Sequence, residues 1–315
     1  MKNRIFYILL IVTMILNFSS CTSSKKIYNV DLIVKSTNSE FWNSVYDGAK
    51  AAGATYNINL RFLGPTMEKY YRNQVNIIKQ SIQQKTDAII LAAGDYYMMA
   101  EPIKMAADAK IPVILVDSAV DSDQWISFIS TDNYEAGRVL AQEIEKRVGG
   151  NAEIGVISFV KNASPSLERT TGFSEYINEY TDMKIVETVY CDSYIDKAEQ
   201  LTRELLKNHP TIRVIAGLNA QSATGAARAL ANLQRSDIFL AGIDCTVEEA
   251  EYMELGILDV AVLQNPYLMG YFSVETAYKV LKGKKVERNI RTAVYVVDKD
   301  NMFSEEIQRL IFPFY

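Results

Sequence analysis

Histidine is almost absent from this 315-residue sequence, and that scarcity limits the chemistry the chain can perform. Its one histidine, His209, lies in the polar segment KNHPTIR, which is typical of a surface turn. A histidine-based catalytic triad and a paired-histidine metal site are therefore excluded. The phosphate-binding patterns GxGxxG and GxxxxGKS/T are also missing. We expect a protein that is not an enzyme and that uses no cofactor.

Acidic clusters are present, but none has the spacing of a metal site. The segment DSAVDSD at 117–123 lacks the D-x-D-x-D-G order of a calcium loop and is expected to be a solvated loop. Asp117 and Asp244 could be imagined as a pair of acids for glycoside hydrolysis, yet nothing in the sequence gives either a proton-donating role. We expect no bound metal.

Positive charge is too scarce for a nucleic-acid partner. The sequence has 33 Lys and Arg against 38 Asp and Glu, which leaves a net charge of −5. A nucleic-acid partner would favour a basic surface. Downstream of the first residues no stretch approaches eighteen consecutive apolar residues, so no later transmembrane helix is predicted.

The N-terminus carries an export signal. Lys2 and Arg4 precede a largely apolar stretch at 5–16, which is too short to span a membrane comfortably. The segment ending at Cys21 resembles a bacterial lipoprotein signal, although Phe18 stands where such signals usually carry Leu. The resemblance implies a signal peptide at 1–20, a lipid on Cys21 and a polar tether at 21–26. An ordinary signal peptide with a coincidental cysteine and an uncleaved anchor remain the alternatives.

Strand-like and helix-like segments alternate along the rest of the chain. The strand-like segments, such as VDLIVKS, DAIILAA, PVILVDS and AEIGVISF, are nearly continuous Val, Ile and Leu runs. Such strands are buried on both faces, as in parallel sheets covered by helices. The alternation restarts near residue 132, so we predict an α/β fold with two doubly wound parallel-sheet lobes. A long helix is predicted from about residue 67 to 84.

Cys191 and Cys245 each follow a strand-like run in the second half. In a half-sheet of order 2-1-3-4-5 they would follow the second and fourth strands, roughly 14 Å apart at ~4.8 Å per strand. A disulfide needs Cα atoms within about 7 Å. Two free thiols are therefore predicted.

The segment TNSEFWNSVYDGAKAAG at 37–53 predicts a helix that begins with two aromatic residues. Trp42, Val45, Ala49 and Ala52 recur on one face, and Asn38 or Ser39 is placed to cap the N-terminus. Phe41 points about 100° away from Trp42. We expect it either to fill a neighbouring gap in the core or to face a ligand.

Polar and aromatic residues gather where strands end and helices begin, the edge at which open α/β sheets bind ligands. These segments are 35–42, 94–97, 117–118, 161–169, 191–194, 219–222, 244–246 and 264–265.

From Val30 to Val297 the sequence resembles the type I periplasmic sugar-binding proteins, in the ribose-binding-protein branch, which are extracytoplasmic receptors of ABC importers. The resemblance is carried, in the family's order and spacing, by SEFWNSVYDGAK, IPVILVDS, STDNYEAGR, ERTTGF, AGLNAQSATGAARAL, AGIDCT and VLQNPYLMGYFSVETAYKVLKGK. Regulators of the lac-repressor type share the binding fold, but they carry a DNA-binding helix-turn-helix where this chain has an export signal.

The resemblance implies two lobes that close on a sugar. It places three crossing segments near 130–132, 264–266 and 291–293. The N-lobe would comprise 27–130 and 266–291, and the C-lobe 131–265 and 292–315.

The resemblance and the strand-end positions together give a set of expected ligand-binding residues. Aromatic rings cover the C–H faces of a sugar, and carboxylates and amides bind its hydroxyls. The set is Lys35, Ser39, Phe41, Trp42, Asp117, Arg169, Tyr194, Asn219, Asp244 and Gln264.

Each of these residues has a structural alternative. Phe41 and Trp42 could be core residues, and Gln264 could be a hinge residue. Asp117, Lys35 and Tyr194 could be solvated surface residues. Asn219 and Asp244 could be helix caps. Arg169 is expected to support the pocket rather than to touch the ligand.

Three departures from the ribose receptors concern the hydroxyl-binding rim. Ser118 and Leu167 stand where those receptors have Arg, and Ala220 stands where they have Asp. The departures argue against unmodified ribose as the ligand. We expect an exported, membrane-tethered receptor that passes a monosaccharide or polyol to an ABC permease. The alternative is a sensing receptor that docks on a sensor histidine kinase ectodomain.

Overall fold

The structure, a computed structural model, describes residues 26–312. The predicted signal peptide, Cys21 and nearly all of the predicted tether lie outside the described residues. No helix within 26–312 is both long and apolar enough to cross a bilayer.

Two six-stranded sheets form the centres of two lobes, which we call the N-lobe and the C-lobe. The N-lobe sheet has the order β11-β5-β4-β3-β1-β2, and its neighbouring strands all run parallel. Its strands are β1 (Tyr28–Ile33), β2 (Ile58–Leu63), β3 (Ala88–Leu91), β4 (Val113–Val116), β5 (Ser127–Thr131) and β11 (Asn289–Thr292).

The C-lobe sheet has the order β12-β10-β9-β8-β6-β7 and is parallel except for its edge strand β12, which runs antiparallel to β10. Its strands are β6 (Glu153–Ser158), β7 (Lys184–Tyr190), β8 (Ile212–Gly217), β9 (Phe239–Ile243), β10 (Val260–Leu263) and β12 (Tyr295–Asp298). The predicted fold class, two doubly wound parallel-sheet lobes, is confirmed.

Ten α-helices in the described range cover the sheets. They are α1 (Glu40–Tyr56), α2 (Asn73–Gln83), α3 (Ala100–Asp108), α4 (Asn133–Val148), α5 (Ser164–Tyr180), α6 (Ile195–Asn208), α7 (Ala220–Leu233), α8 (Val247–Glu254), α9 (Pro266–Leu281) and α10 (Glu305–Ile311).

Both faces of the N-lobe sheet are buried, as the continuous apolar strands predict. Neighbouring residues of β1 point to opposite sides: Leu32 packs in the cluster beneath α1 and α9, and Ile33 packs in the cluster beneath α2 and α3. Helices α1 and α9 can approach closely because Gly48 and Gly270 have no side chain. A Cβ on either glycine would collide with a backbone carbonyl oxygen of the other helix. This packing fixes α1 against the segment that leaves β10.

The described chain crosses from one lobe to the other at three places: after β5 and before α4, after β10 and before α9, and after β11 and before β12. The expected crossings at 130–132, 264–266 and 291–293 lie beside these passages. Helix α10 returns to the C-lobe, where Ile307 and Ile311 join the core.

The long helix predicted from residue 67 is wrong in its first part. A three-residue 3₁₀ turn occupies Glu68–Tyr70, and α2 begins only at Asn73. No residue of the 3₁₀ turn is buried, so the turn lacks the apolar stripe that would hold a helix against the sheet.

The C-lobe strand order reproduces the 2-1-3-4-5 pattern on which the thiol prediction depended. Cys191 follows β7 and Cys245 follows β9, and both are free and buried. The prediction of two free thiols is confirmed. Burial raises the pKa of both thiols above the ordinary value, so neither is a reactive thiolate.

Candidate functional site

A small cavity of about 30 Å³ lies between the lobes, at the carboxyl ends of both sheets. Nine of the ten expected ligand-binding residues line it: Lys35, Ser39, Phe41, Trp42, Asp117, Arg169, Asn219, Asp244 and Gln264.

Tyr194 is the expected residue that is not among those lining the cavity. It precedes α6, its ring is exposed, and Lys69 lies 4.6 Å above the ring centroid.

The lining also contains five residues that the sequence analysis did not select: Glu68, Phe159, Pro165, Ala220 and Gln221. Three of them, Pro165, Ala220 and Gln221, fall within strand-end segments, so that signal was available. Glu68 falls outside every such segment and was assigned to the predicted helix at 67–84, whose first part does not form. Among residues 26–312 no group of His, Cys, Asp and Glu is arranged to hold a metal ion.

Lys35 and Asp117 form a buried ion pair at the N-lobe wall of the cavity. Lys35 follows β1 and Asp117 follows β4, and the Lys35 Nζ lies 2.7 Å from Asp117 Oδ2. Their side chains are 4% and 5% exposed, so the alternatives that placed both in water are wrong. The Ser118 hydroxyl donates a second hydrogen bond to the same oxygen, at 2.5 Å. A paired, hydrogen-bonded carboxylate can be held in a cavity at tolerable cost.

The two aromatic residues at the start of α1 have different surroundings. Trp42 is 2% exposed and belongs to the N-lobe core, as the helical stripe predicted. Phe41 is half-buried and packs edge-on against Trp42, with ring centroids 4.9 Å apart and planes at 80°. Phe41 therefore offers the more accessible ring to a ligand, and Trp42 braces it from the core while its own edge reaches the cavity.

Ser39 occupies the N-cap position of α1, but its side chain makes no capping hydrogen bond. Asn38 or Ser39 was expected to cap this helix, and for Ser39 that expectation is wrong. The Ser39 side chain lines the cavity.

Asn219 has a place in the cavity wall and also acts as a helix cap. Its Oδ1 accepts hydrogen bonds from the backbone N–H of Ser222, at 3.0 Å, and from the Ser222 hydroxyl, at 2.5 Å. Its Nδ2 donates to Ser193 Oγ at 3.2 Å and to Gln221 Oε1 at 2.7 Å. The cap holds the amide in one orientation, so the two roles coexist.

Asp244 lies on the C-lobe side of the cavity with Gln264 and Arg169. Gln264 Nε2 donates to Asp244 Oδ1 at 2.8 Å, and Arg169 Nη1 lies 4.0 Å from Asp244 Oδ2. Burial raises the pKa of Asp244, and the charge of Arg169 opposes that rise. Asp244 is not a helix cap, because Thr246 caps α8.

Arg169 supports this arrangement from α5. Its side chain is 3% exposed. Arg169 Nε donates a hydrogen bond to Asn133 Oδ1, and Nη1 donates one to the carbonyl oxygen of Leu218, both at 2.9 Å. The guanidinium thus ties α4 to the end of β8 beneath the cavity.

Glu249, a buried carboxyl in the first turn of α8, is expected to make the stability of the C-lobe depend on pH. The residue is fully buried, Oε2 accepts a hydrogen bond from the Thr246 N–H at 2.7 Å, and Oε1 has no hydrogen-bond partner within the described chain. Burial raises the pKa of Glu249 to about 8, against about 4.3 for an unfolded glutamate.

The folded chain therefore holds one proton more than the unfolded chain between these two pH values, and the free energy of unfolding should fall as pH rises from about 4.3 to about 8. The loss is about 1.4 kcal/mol per pKa unit. Urea unfolding across this range should show the decline, and Glu249→Gln should flatten it. An equally steep decline in Glu249→Gln would assign the effect to other groups.

Comparison with known proteins places the chain among solute receptors. A model of the periplasmic binding protein domain matches residues 30–285. The ribose import binding protein RbsB of Escherichia coli is 28% identical over 269 residues, which make up 85% of this chain and 88% of RbsB. An ABC transporter solute binding protein from Agrobacterium vitis, solved with bound D-fucose, is 32% identical with a TM-score of 0.88, covering 90% of this chain and 100% of its own.

A chain of the solved XylFII–LytSN complex is 25% identical with a TM-score of 0.82, over 87% of this chain and 99% of its own. RbsB and the Agrobacterium vitis protein are binding proteins rather than enzymes, which fits a protein that does not transform its ligand.

Proposed function

This chain belongs to the family of periplasmic binding protein domains, in its type I sugar-binding branch, and on that premise we propose that it captures a monosaccharide or related polyol and delivers it to an ABC permease. The observation that carries the proposal is the convergence of Phe41, Asp117, Asn219 and Asp244 on one interlobe cavity. These residues come from four separate strand ends, so their convergence is a property of the fold and not of local sequence.

The cavity supplies the contacts a sugar needs. The half-buried Phe41 ring covers a C–H face with large area and little loss of conformational entropy. The carboxylates of Asp117 and Asp244 and the amides of Asn219 and Gln264 bind hydroxyls in fixed directions, since the ion pair, the cap and the Gln264 bond hold them. Ligand binding favours the closed arrangement of the lobes because only that arrangement brings both walls to the sugar.

The charges in the cavity favour a neutral ligand over an acidic one. Lys35 is paired with Asp117, Arg169 faces Asp244, and Glu68 is a third carboxylate in the lining. An anionic sugar would lose its hydration without gaining an unpaired cation.

We therefore predict that a sugar acid binds at least tenfold more weakly than the matching neutral sugar. Calorimetric titration of matched pairs, such as D-galactose against D-galacturonate and D-glucose against D-glucuronate, measures this ratio. Preferential binding of either uronate would contradict the charge argument.

Tryptophan fluorescence tests the proposed function directly. Trp42 lines the cavity, whereas Trp125 is held outside it by a hydrogen bond to the Ser122 carbonyl oxygen and by the Arg288 guanidinium 3.8 Å from its ring centroid. A bound sugar should change the emission of the Trp125→Phe variant, in which Trp42 is the remaining tryptophan. Unchanged emission across a broad sugar panel would count against a sugar cavity.

The N-terminal sequence also supports a lipid on Cys21, which would hold the receptor at the outer face of the cell membrane or in the periplasm. Metabolic labelling with a fatty acid tests this, and Cys21→Ser should lose the label.

A second function has one specific observation in its favour. A chain of the XylFII–LytSN complex shares this fold, so a protein of this fold occurs in a complex with a second protein. By analogy, the closed form of this chain would dock on a sensor kinase ectodomain. Gene neighbourhood separates the two functions: an ATPase and a permease alongside indicate transport, and a kinase with a response regulator indicates sensing.

A further inference from the structure

The 3₁₀ turn at Glu68–Tyr70, which we call the 68–70 turn, contacts the opposite lobe at the mouth of the cavity. It follows β2 in the N-lobe and touches the C-lobe loop at residues 191–194, which joins β7 to α6. Two side chains make the contact: Glu68 bonds to Ser193, and Lys69 lies over the ring of Tyr194.

Glu68 is bonded on both sides. Its Oε1 accepts a hydrogen bond from Trp42 Nε1 at 2.9 Å, and its Oε2 accepts one from the Ser193 hydroxyl at 2.6 Å. Ser193 Oγ in turn accepts from Asn219 Nδ2 at 3.2 Å. A continuous series of hydrogen bonds therefore runs from the Asn219 cap in the C-lobe to the Trp42 ring in the N-lobe. Bonds to an ionised carboxylate are roughly twice as strong as neutral ones.

The 191–194 loop is built in a way that presents Ser193 to Glu68. Asp192 and Ser193 are consecutive non-glycine residues in the left-handed region, with φ of 56° and 54°. Such conformations cost free energy and persist where surrounding contacts hold them. Here Asp192 is held by Lys197, whose Nζ lies 2.6 Å from Asp192 Oδ2, and Ser193 is held by Asn219 and Glu68.

Other polar contacts across the cleft are separate from this series. The backbone N–H of Tyr96 donates to the Asn162 carbonyl oxygen at 2.9 Å, that of Ala119 donates to Ser164 Oγ at 2.8 Å, and that of Val247 donates to Glu40 Oε2 at 3.2 Å. None of these three involves a residue that is an aromatic member of the cavity lining. Glu68 therefore differs from them in joining a lobe-to-lobe bond to a ligand-facing ring.

We propose that Glu68 is a positioning residue which couples closure of the lobes to the orientation of the aromatic wall of the sugar cavity. The inference rests on the proposed function. When the lobes separate, the Glu68–Ser193 bond breaks and the Glu68–Trp42 bond, within one lobe, is retained. When they close, Ser193 fixes the carboxylate, and the carboxylate fixes the Trp42 ring against which Phe41 packs. Tyr194 then belongs to the closing contact rather than to the sugar.

The test measures the distance between the lobes without any sugar, so that it does not depend on knowing the ligand. Spin labels are placed at Glu101→Cys on α3 and Lys207→Cys on α6, both exposed, in the full chain carrying Cys21→Ser. The buried Cys191 and Cys245 are retained. Pulsed electron–electron double resonance then measures the distance between the labels in the parent, in Glu68→Ala, in Ser193→Ala and in the double variant. Glu179→Ala, an exposed glutamate on α5, is the control.

We expect a short-distance population in the parent and in Glu179→Ala that falls at least fivefold in Glu68→Ala and in Ser193→Ala. The double variant should match the single variants, because one contact is lost in all three. In the Trp125→Phe background, Glu68→Ala should shift the Trp42 emission of the open form and Ser193→Ala should not.

Identical distance distributions in all five proteins would overturn the proposal, as would additive effects in the double variant. If these variants change the distances as expected but the parent binds no sugar, the proposed function is refuted instead.

Discussion

Replacing Asp117 by asparagine should lower the free energy of unfolding by about 3–5 kcal/mol. The substitution removes the charge but not the shape, and asparagine tolerates the left-handed backbone that Asp117 adopts, with φ of 64°. The Lys35 ammonium, whose side chain is 4% exposed, would then be a buried charge without its partner. Urea unfolding followed by circular dichroism measures the loss.

A double variant separates the ion pair from other effects. Lys35→Met together with Asp117→Asn removes both charges and should recover most of the stability, since a buried pair replaced by neutral groups of similar volume is often nearly neutral. Sugar binding should be absent in the double variant, because the Asp117 carboxylate no longer lines the cavity. A loss below about 1 kcal/mol for Asp117→Asn would show that Lys35 finds water or another partner when the carboxylate is removed.

Replacing Trp42 by alanine should destabilise the protein by about 3–5 kcal/mol and also abolish sugar binding. Trp42 is buried in the N-lobe core and also lines the cavity, so the substitution removes core packing and part of the cavity wall together.

Phe41→Ala is the matched variant for the neighbouring aromatic. Phe41 is half-buried and lines the cavity, so its loss should weaken sugar binding at least tenfold and cost much less stability than Trp42→Ala. Urea unfolding and calorimetric titration of the two variants distinguish these outcomes. Wild-type affinity in Phe41→Ala would show that the ring does not stack on the ligand.

Much of the fold follows from patterns within single segments. Buried strands such as PVILVDS are continuous apolar runs, and the carboxyl-end rule placed Asp117, Asn219 and Asp244 at the ligand-binding edges of their sheets. The family resemblance supplied the expectation that the two edges share one cavity, which these residues line. The N-lobe core likewise contains the Trp42, Val45, Ala49 and Ala52 stripe of α1.

The Lys35–Asp117 pair could not be predicted from the sequence, because it depends on strand order. The two residues are 82 positions apart, and β1 and β4 are separated in the sheet by β3. The long lysine side chain bridges the width of that strand. A local pattern contains no information on such a distance.

Glu68 was missed for a related reason. Its segment reads as part of a helix when only local propensity is considered, yet its partners, Trp42 and Ser193, lie in another helix and in the other lobe. Tertiary contacts of this kind override a weak local preference. The same contacts place Tyr194 at the rim, against Lys69.

Thermal unfolding in the presence of a broad panel of monosaccharides and polyols tests most directly whether the interlobe cavity binds a sugar. A ligand that binds only the folded state raises the melting temperature, and the rise grows with the logarithm of the ligand concentration once that concentration exceeds the dissociation constant. We expect at least one neutral sugar to raise it in the parent protein, with a clearly smaller shift in Phe41→Ala at the same concentration. A panel that leaves the parent unshifted, or a shift that Phe41→Ala retains in full, would contradict a sugar-binding cavity at this position.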